Sequence, residues 1–223
     1  PIPALTFSPD GSYIFYTNVE EMLARLSIDL LGAVTALGGA PRKVTYDVDT
    51  TVAFSPDGSQ LAFGRGAPSE RINHIAIVNA DGSGERTLAS FPRYFDIDHP
   101  AWSPDGTTIV VPVVEMNPAW DAVPIAIDVA TGKTRRIGNT RRYGLNDLAF
   151  LPGGNALLMT AADTDTAREQ IWLQPYPDGA PVRVTNDLSH YRSLSLTRDG
   201  SQITAVKADI RTALFETDAD ASG

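Results

Sequence analysis

The 223 residues contain no cysteine. That excludes a disulfide, a thiolate nucleophile and a cysteine zinc site. Histidine is almost as scarce, at three. Long hydrophobic runs are missing too. The longest mainly apolar stretch, Leu30 to Ala40, is interrupted by Gly and Thr and falls far short of the roughly 20 residues a membrane helix needs. Positive charge is in deficit: 18 Lys and Arg stand against 27 Asp and Glu, a formal net charge of −9. An acidic surface repels a phosphate backbone, so nucleic acid is not an expected partner. Catalytic signatures are absent: no Gly-x-Ser-x-Gly elbow, no P-loop, no His-Glu-x-x-His and no kinase signature set. No signal-peptide pattern stands in the chain. It opens at Pro1, without Met, and is expected to have been processed or excised from a longer protein.

What the chain does have is a recurring five-residue stretch. It reads Phe7-Ser8-Pro9-Asp10-Gly11, Phe54-Ser55-Pro56-Asp57-Gly58 and Trp102-Ser103-Pro104-Asp105-Gly106. Two worn copies follow, Phe150-Leu151-Pro152-Gly153-Gly154 and Leu196-Thr197-Arg198-Asp199-Gly200. The steps between leading residues are 47, 48, 48 and 46 residues, a period that marks a repeat architecture. Ser, Pro and Gly at these places suit a type I turn closed by a left-handed Gly, the tip of a β-hairpin. The Asp reads as a turn former rather than a metal ligand or acid catalyst, since no His or second acid keeps a fixed offset from it. The leading aromatic is expected to pack between neighbouring repeats.

Apolar, β-rich runs flank each turn. Tyr13 to Tyr16, Leu61 to Phe63, Ile109 to Val113, Ala156 to Thr160 and Gln202 to Lys207 follow the turns. Ile75 to Val78, Val123 to Val129 and Gln170 to Pro175 supply third strands. Arg86 to Ala89, Thr134 to Ile137 and Val182 to Thr185 supply fourth ones. In repeat one, Leu23 to Leu31 reads as the third strand, with a helix over Glu20 to Leu31 as the alternative. Its fourth strand is either Ala33 to Leu37 or Pro41 to Thr45, and the later repeats favour the second. Repeat five shows Leu194 to Leu196, Gln202 to Lys207 and Ala213 to Thr217. The boundaries fall at about 1–50, 51–98, 99–146, 147–192 and an incomplete 193–223 within one domain. The fold class is all-β: a β-propeller of four-stranded antiparallel blades, five repeats visible, expected to be part of a larger ring.

The Phe/Trp-Ser-Pro-Asp-Gly turns, together with Asp81-Gly82-Ser83-Gly84, Asp128 to Lys133 and Val184-Thr185-Asn186-Asp187, resemble the TolB-like, WD-type propeller repeats of bacteria. Their order is most similar to propellers attached C-terminally to bacterial Ser/Thr protein kinases and membrane-anchored regulators. The resemblance covers essentially the whole chain. It implies a non-catalytic binding or sensing module, periplasmic or extracellular, with no cofactor. The chain departs from the pattern at Leu30 to Ala40 and in the turns of repeats four and five. The alternative function is a propeller domain of an enzyme: one gating a prolyl-peptidase-like hydrolase, or a lyase with its site in the channel.

In a four-stranded blade the second-to-third loops and the blade-to-blade connections share one face. The connections, Tyr46 to Thr51, Ser90 to Pro100, Asn139 to Asn146 and Asn186 to Ser193, are expected to form a funnel. Loops on a rigid scaffold commonly carry binding. Counting four back from each leading residue selects Pro3, Thr50, Asp98, Asn146 and Arg192. The predicted ligand-binding residues are therefore Asp49, Asp98, His99, Asn146, Tyr191 and Arg192, a mixture of acid, amide, base and aromatic suited to a small polar ligand, a peptide or a protein partner. No metal site is expected: the Asp-x-Asp pairs lack the further ligands and Gly of a calcium loop, and His99 and His190 lack an aligned third ligand. Self-association through unpaired blade edges is expected if the ring is open, and membrane insertion by this segment is not.

Overall fold

The structure is a computed structural model that describes residues 5–17, 22–27, 42–67, 71–92, 95–97, 99–115, 121–138, 141–164, 167–197 and 199–209. Every regular element among them is a strand. Three sheets have four strands in simple antiparallel order. The first joins β1 (Leu5–Phe7), β2 (Tyr13–Thr17), β3 (Met22–Ser27) and β4 (Arg42–Tyr46). The second joins β5 (Ala53–Phe54), β6 (Gln60–Ala67), β7 (Ile72–Asn79) and β8 (Arg86–Pro92). The third sheet keeps the order β10 (Ala101–Trp102), β11 (Thr108–Glu115), β12 (Asp121–Asp128), β13 (Thr134–Arg136), and gains β9 (Phe95–Ile97) on β11 and β14 (Arg142–Tyr143) on β12. The fourth joins β15 (Leu148–Phe150), β16 (Ala156–Ala161), β17 (Gln170–Pro175) and β18 (Val182–Arg183). In the fifth repeat β19 (His190–Leu196) pairs with β20 (Ile203–Ala208). These are the propeller blades that the period implied.

In the first repeat Met22–Ser27 is a strand, not a helix, and the fourth strand is Arg42–Tyr46. The Ala33 to Leu37 alternative and the third strand of repeat five lie outside the described residues. Two segments read as connecting loops carry short strands instead. Phe95–Ile97 pairs with Val113 to Glu115, and Arg142–Tyr143 with Asp121 and Ala122. The β11–β12 hairpin is long enough that its far end outruns β10 and β13, and the connections supply the missing partners there.

Apolar residues bury themselves between blades, not within them. One cluster joins Phe15, Val44, Val48 and Val52 to Leu61, Phe63, Ala76 and Val78 across blades one and two. A second joins Ile75, Ile77 and Leu88 to Ile109, Val111, Val123, Ile125 and Ile127 across blades two and three. A third joins Ala101, Val110, Ala126 and Ile137 to Leu148, Leu157, Met159 and Trp172 across blades three and four. Each large aliphatic side chain so buried contributes about 1.5–3 kcal/mol. The leading aromatics sit in these seams: Phe54 meets Phe15 edge-on at 4.9 Å, Trp102 packs on the second cluster and Phe150 lies in the third. Phe7, which leads the first repeat, is 56 % exposed.

The turns repeat atom for atom. In four of the five, the Ser or Thr hydroxyl donates to the Asp Oδ1 at 2.5–2.6 Å. The same hydroxyl accepts the N–H five residues on at 2.9–3.0 Å. The Asp Oδ1 accepts the N–H two residues on at 3.0 Å. The Gly closes the turn with φ of 70–75°, a region only Gly occupies without cost. The fourth copy has Leu151 and Gly153 and keeps only the backbone bonds. Between copies, the Pro ring of one turn lies where the Gly of the next has no side chain: Pro9 against Gly58, Pro56 against Gly106, Pro104 against Gly154, Pro152 against Gly200.

A second ring of contacts runs round the rim on the same face. Arg42, Arg86 and Arg135 each donate to a carbonyl in the next blade's third-to-fourth turn, those of Asp81, Val129 and Pro177. Those turns approach so closely that a Cβ on Gly132 would stand 2.3 Å from the Leu88 carbonyl oxygen.

Candidate functional site

The innermost strands β1, β5, β10, β15 and β19 surround a cavity of about 890 Å³. Each runs from a connection to a turn, so the cavity has two mouths. At the turn mouth stand Pro9, Pro56, Pro104 and Pro152. At the connection mouth stand Thr51, His99, Asp147 and Ser193, which occupy one equivalent place in four successive repeats. The wall between is mixed, with Val52, Phe54, Trp102, Leu148 and Leu194 beside the hydroxyls of Thr6 and Ser195.

The connection mouth is held from behind. Thr51 donates its N–H to His99 Nδ1 at 3.3 Å, with its hydroxyl 2.8 Å from the same nitrogen. His99 Nδ1 is thereby engaged by both the backbone and the side chain of Thr51. Asp147 Oδ2 accepts from Thr160 Oγ1 and from the Ser193 N–H, both at 2.9 Å. That carboxylate therefore ties blade four to blade five. Its other oxygen, Oδ1, takes no hydrogen bond among the described residues.

The residues selected from sequence divide around this ring. His99 lines it, and Asp98 lies outside the described residues. Asn146 and Arg192 do not line it, and neither does Thr50. The residues that line the mouth stand one place nearer: three back from each leading residue, not four, gives Thr51, His99, Asp147 and Ser193. Successive side chains of an extended chain point to opposite sides, so a shift of one changes the surroundings completely. Thr50 Oγ1 accepts the Gly64 N–H at 2.8 Å. Asn146 meets the Thr160 carbonyl through its backbone N–H at 3.4 Å. Arg192 Nε donates to Glu169 Oε2 at 2.7 Å, with His190 Nδ1 3.6 Å from the same oxygen. Tyr191 donates its hydroxyl to Asp187 Oδ2 at 2.8 Å, which Lys207 Nζ also reaches at 3.0 Å. Asp49 Oδ2 takes the Gly66 N–H at 2.6 Å. Thus Asp49, Tyr191 and Arg192 lie on the connection face and bind protein groups there. Sequence reasoning missed Asp147, Thr51 and Ser193. The repeat itself held the signal, since they share one phase.

The two mouths also differ in charge. The turn aspartates are exposed, and the Ser or Thr hydroxyl, followed by the backbone N–H, holds Asp10, Asp57 and Asp199 at a pKa of about 2. Every one is occupied by its own turn. Among the described residues no three His, Asp or Glu gather into a metal-binding group, and no helix is long and apolar enough to cross a membrane.

No protein-family model and no curated protein sequence matches the chain. Solved structures do. A structure assigned to TolB from Agrobacterium tumefaciens superposes with a TM-score of 0.73 at 21% identity, over 94% of this chain and 70% of that one. TolB from Acinetobacter baumannii gives 0.67 at 20%, over 90% of this chain and 45% of that one. A chain of a nidogen/laminin complex gives 0.64 at 15%, over 92% and 72%. The tricorn protease gives 0.60 at 14%, over 88% of this chain and 18% of its own. The fold is that of a TolB-like β-propeller.

Proposed function

We propose that the chain is a non-catalytic binding module that takes a small polar ligand, a peptide or a segment of a protein partner at the connection mouth of its channel. The observation that carries this reading is the contrast between equivalent positions. At the turn mouth the four described copies all present Pro. At the connection mouth they present a hydroxyl, an imidazole, a carboxylate and a second hydroxyl. Joints between neighbouring blades account for part of this ring, through Thr51–His99 and Asp147–Ser193, but the repeat does not call for four unlike groups at one place. Convergent polar groups beside apolar side chains are a usual character of a ligand site. The reading extends to a periplasmic or extracellular setting, as the resemblance implies, without nucleic acid or cofactor. It also includes self-association through unpaired blade edges.

The test is a fragment screen of the ¹⁵N-labelled chain by two-dimensional NMR, using small polar compounds and free-ended tripeptides. Shifts confined to the amides of Thr51, His99, Asp147 and Ser193 are expected. Shifts confined to Gly11, Gly58 and Gly106 would put the site at the wrong mouth. A second reading, a propeller that serves an attached hydrolase, is favoured by the tricorn protease likeness. The sequence flanking this chain in its parent gene decides between the two.

A further inference from the structure

We infer that the ligand of this channel carries a primary ammonium group and that Asp147 is its counter-charge. The inference rests on the preceding reading of the connection mouth as the binding site. Asp147 is the one carboxylate lining the cavity, and neither Lys nor Arg lines it among the described residues. Several cations of the same face are engaged elsewhere: Arg192 with Glu169, Arg65 with Glu85, Arg142 and Arg183 with Asp163, Lys207 with Asp187.

A ligand that displaces water from the cavity strips solvent from the Asp147 carboxylate. Leaving that charge without a partner is costly, and bringing a second negative charge beside it is worse. A cation removes the cost. Among cations, an ammonium suits the surroundings better than a guanidinium. It is compact, with three donors on one nitrogen, and Asp147 Oδ1, Ser193 and Ser195 offer acceptors at the cavity wall. The methylenes behind it would lie along Val52, Leu148 and Leu194. The net charge of −9 draws cations toward the chain from a distance.

The ammonium could be a peptide N-terminus or a free alkylamine, and five probes separate these while testing the class. They are n-butylammonium, butyramide, butyrate, Ala-Ala-Ala amide and its N-acetyl form, each titrated into the labelled chain by NMR. Butylammonium, the free-ended peptide or both should shift Ser193, Leu194 and His99 saturably, while butyrate and the acetylated peptide should not. The free-ended peptide binding alone assigns the source to a chain terminus. Affinity should fall steeply as NaCl is raised. Asp147→Asn keeps an oxygen for Thr160 and Ser193 and should weaken the ammonium at least ten-fold. If that variant does not fold, the salt series on the unaltered chain carries the test. Butyrate or butyramide binding as well as butylammonium, a salt-independent affinity, or an unchanged Asp147→Asn overturns the ammonium inference and leaves the channel reading standing. Shifts by these probes only outside the channel, or by none of them anywhere, overturn the inference, and the former overturns the channel reading with it.

Discussion

The two mouths of one channel follow opposite rules. At the turn mouth, four copies of a Ser/Thr-Asp-Gly network repeat bond for bond, and the hydroxyl and the Asp Oδ1 of each are engaged locally. At the connection mouth, equivalent positions hold four chemically distinct groups. Strands β5, β10 and β19 each run from one to the other. Both mouths join neighbours, the first by the same contact each time and the second by Thr51–His99 and Asp147–Ser193, which differ from blade to blade.

The comparison can be broken most severely at the turn face. Gly132→Ala places a Cβ 2.3 Å from the Leu88 carbonyl oxygen at a φ of 70°. It should destabilise the chain by about 2–4 kcal/mol, combining left-handed strain with the clash, read as a loss in denaturant midpoint. Next comes Ser55→Ala. Ser55 is buried, donates to Asp57 and accepts from the Gln60 N–H, so its loss should cost about 1–2 kcal/mol. An unchanged unfolding midpoint would show that the hydroxyl network is ornamental.

Acid sharpens the contrast. In the unfolded chain Asp10, Asp57 and Asp199 titrate near 3.8, and in the fold they are held at about 2. The unfolded state therefore binds more protons between these values. The stability these groups contribute is complete above about pH 4 and disappears as pH falls through about 2. Melting temperatures measured from pH 5 to 2 should fall, and the fall should be shallower in Asp57→Asn. A smaller and opposite effect is expected from Leu151→Ser with Gly153→Asp, which writes the missing network into the fourth turn. It should stabilise by about 0.5–1 kcal/mol. Smallest of all, His99→Ala should move the melting temperature little, while altering whatever the connection mouth binds.

Most of the fold was legible because its signals are local. A Ser-Pro-Asp-Gly turn between apolar runs specifies a hairpin tip by backbone angles alone, and Phe54, Trp102 and Phe150 lie in the seams that their period demanded. What escaped depends on contacts distant in sequence. Phe95–Ile97 and Arg142–Tyr143 are strands only because the far end of the β11–β12 hairpin needs partners. The rim contacts of Arg42, Arg86 and Arg135 join residues 39 to 43 apart. The site was half legible: the face and His99 followed from topology and spacing, but whether Asn146 or Asp147 turns to the channel depends on a one-residue phase. Composition and period do not set that phase. The bonds of Thr160 and Ser193 to Asp147 do.

The Pro-on-Gly contacts between successive turns have a direction. Each blade offers its Pro forward and its Gly backward, so the contact is heterologous, like the links of a chain rather than the halves of a dimer. Such a bond propagates by rotation and cannot be satisfied by two copies facing each other. The worn copies divide the motif along this line. The fourth lost the Ser and the Asp but retains Pro152 and Gly154, both of which contact neighbouring turns. The fifth has Arg198 in place of Pro and retains Gly200 against Pro152. Because these four links use the same two residue types, they do not by themselves tell one neighbour from another. New termini cut in a connection would leave all four joints unaltered.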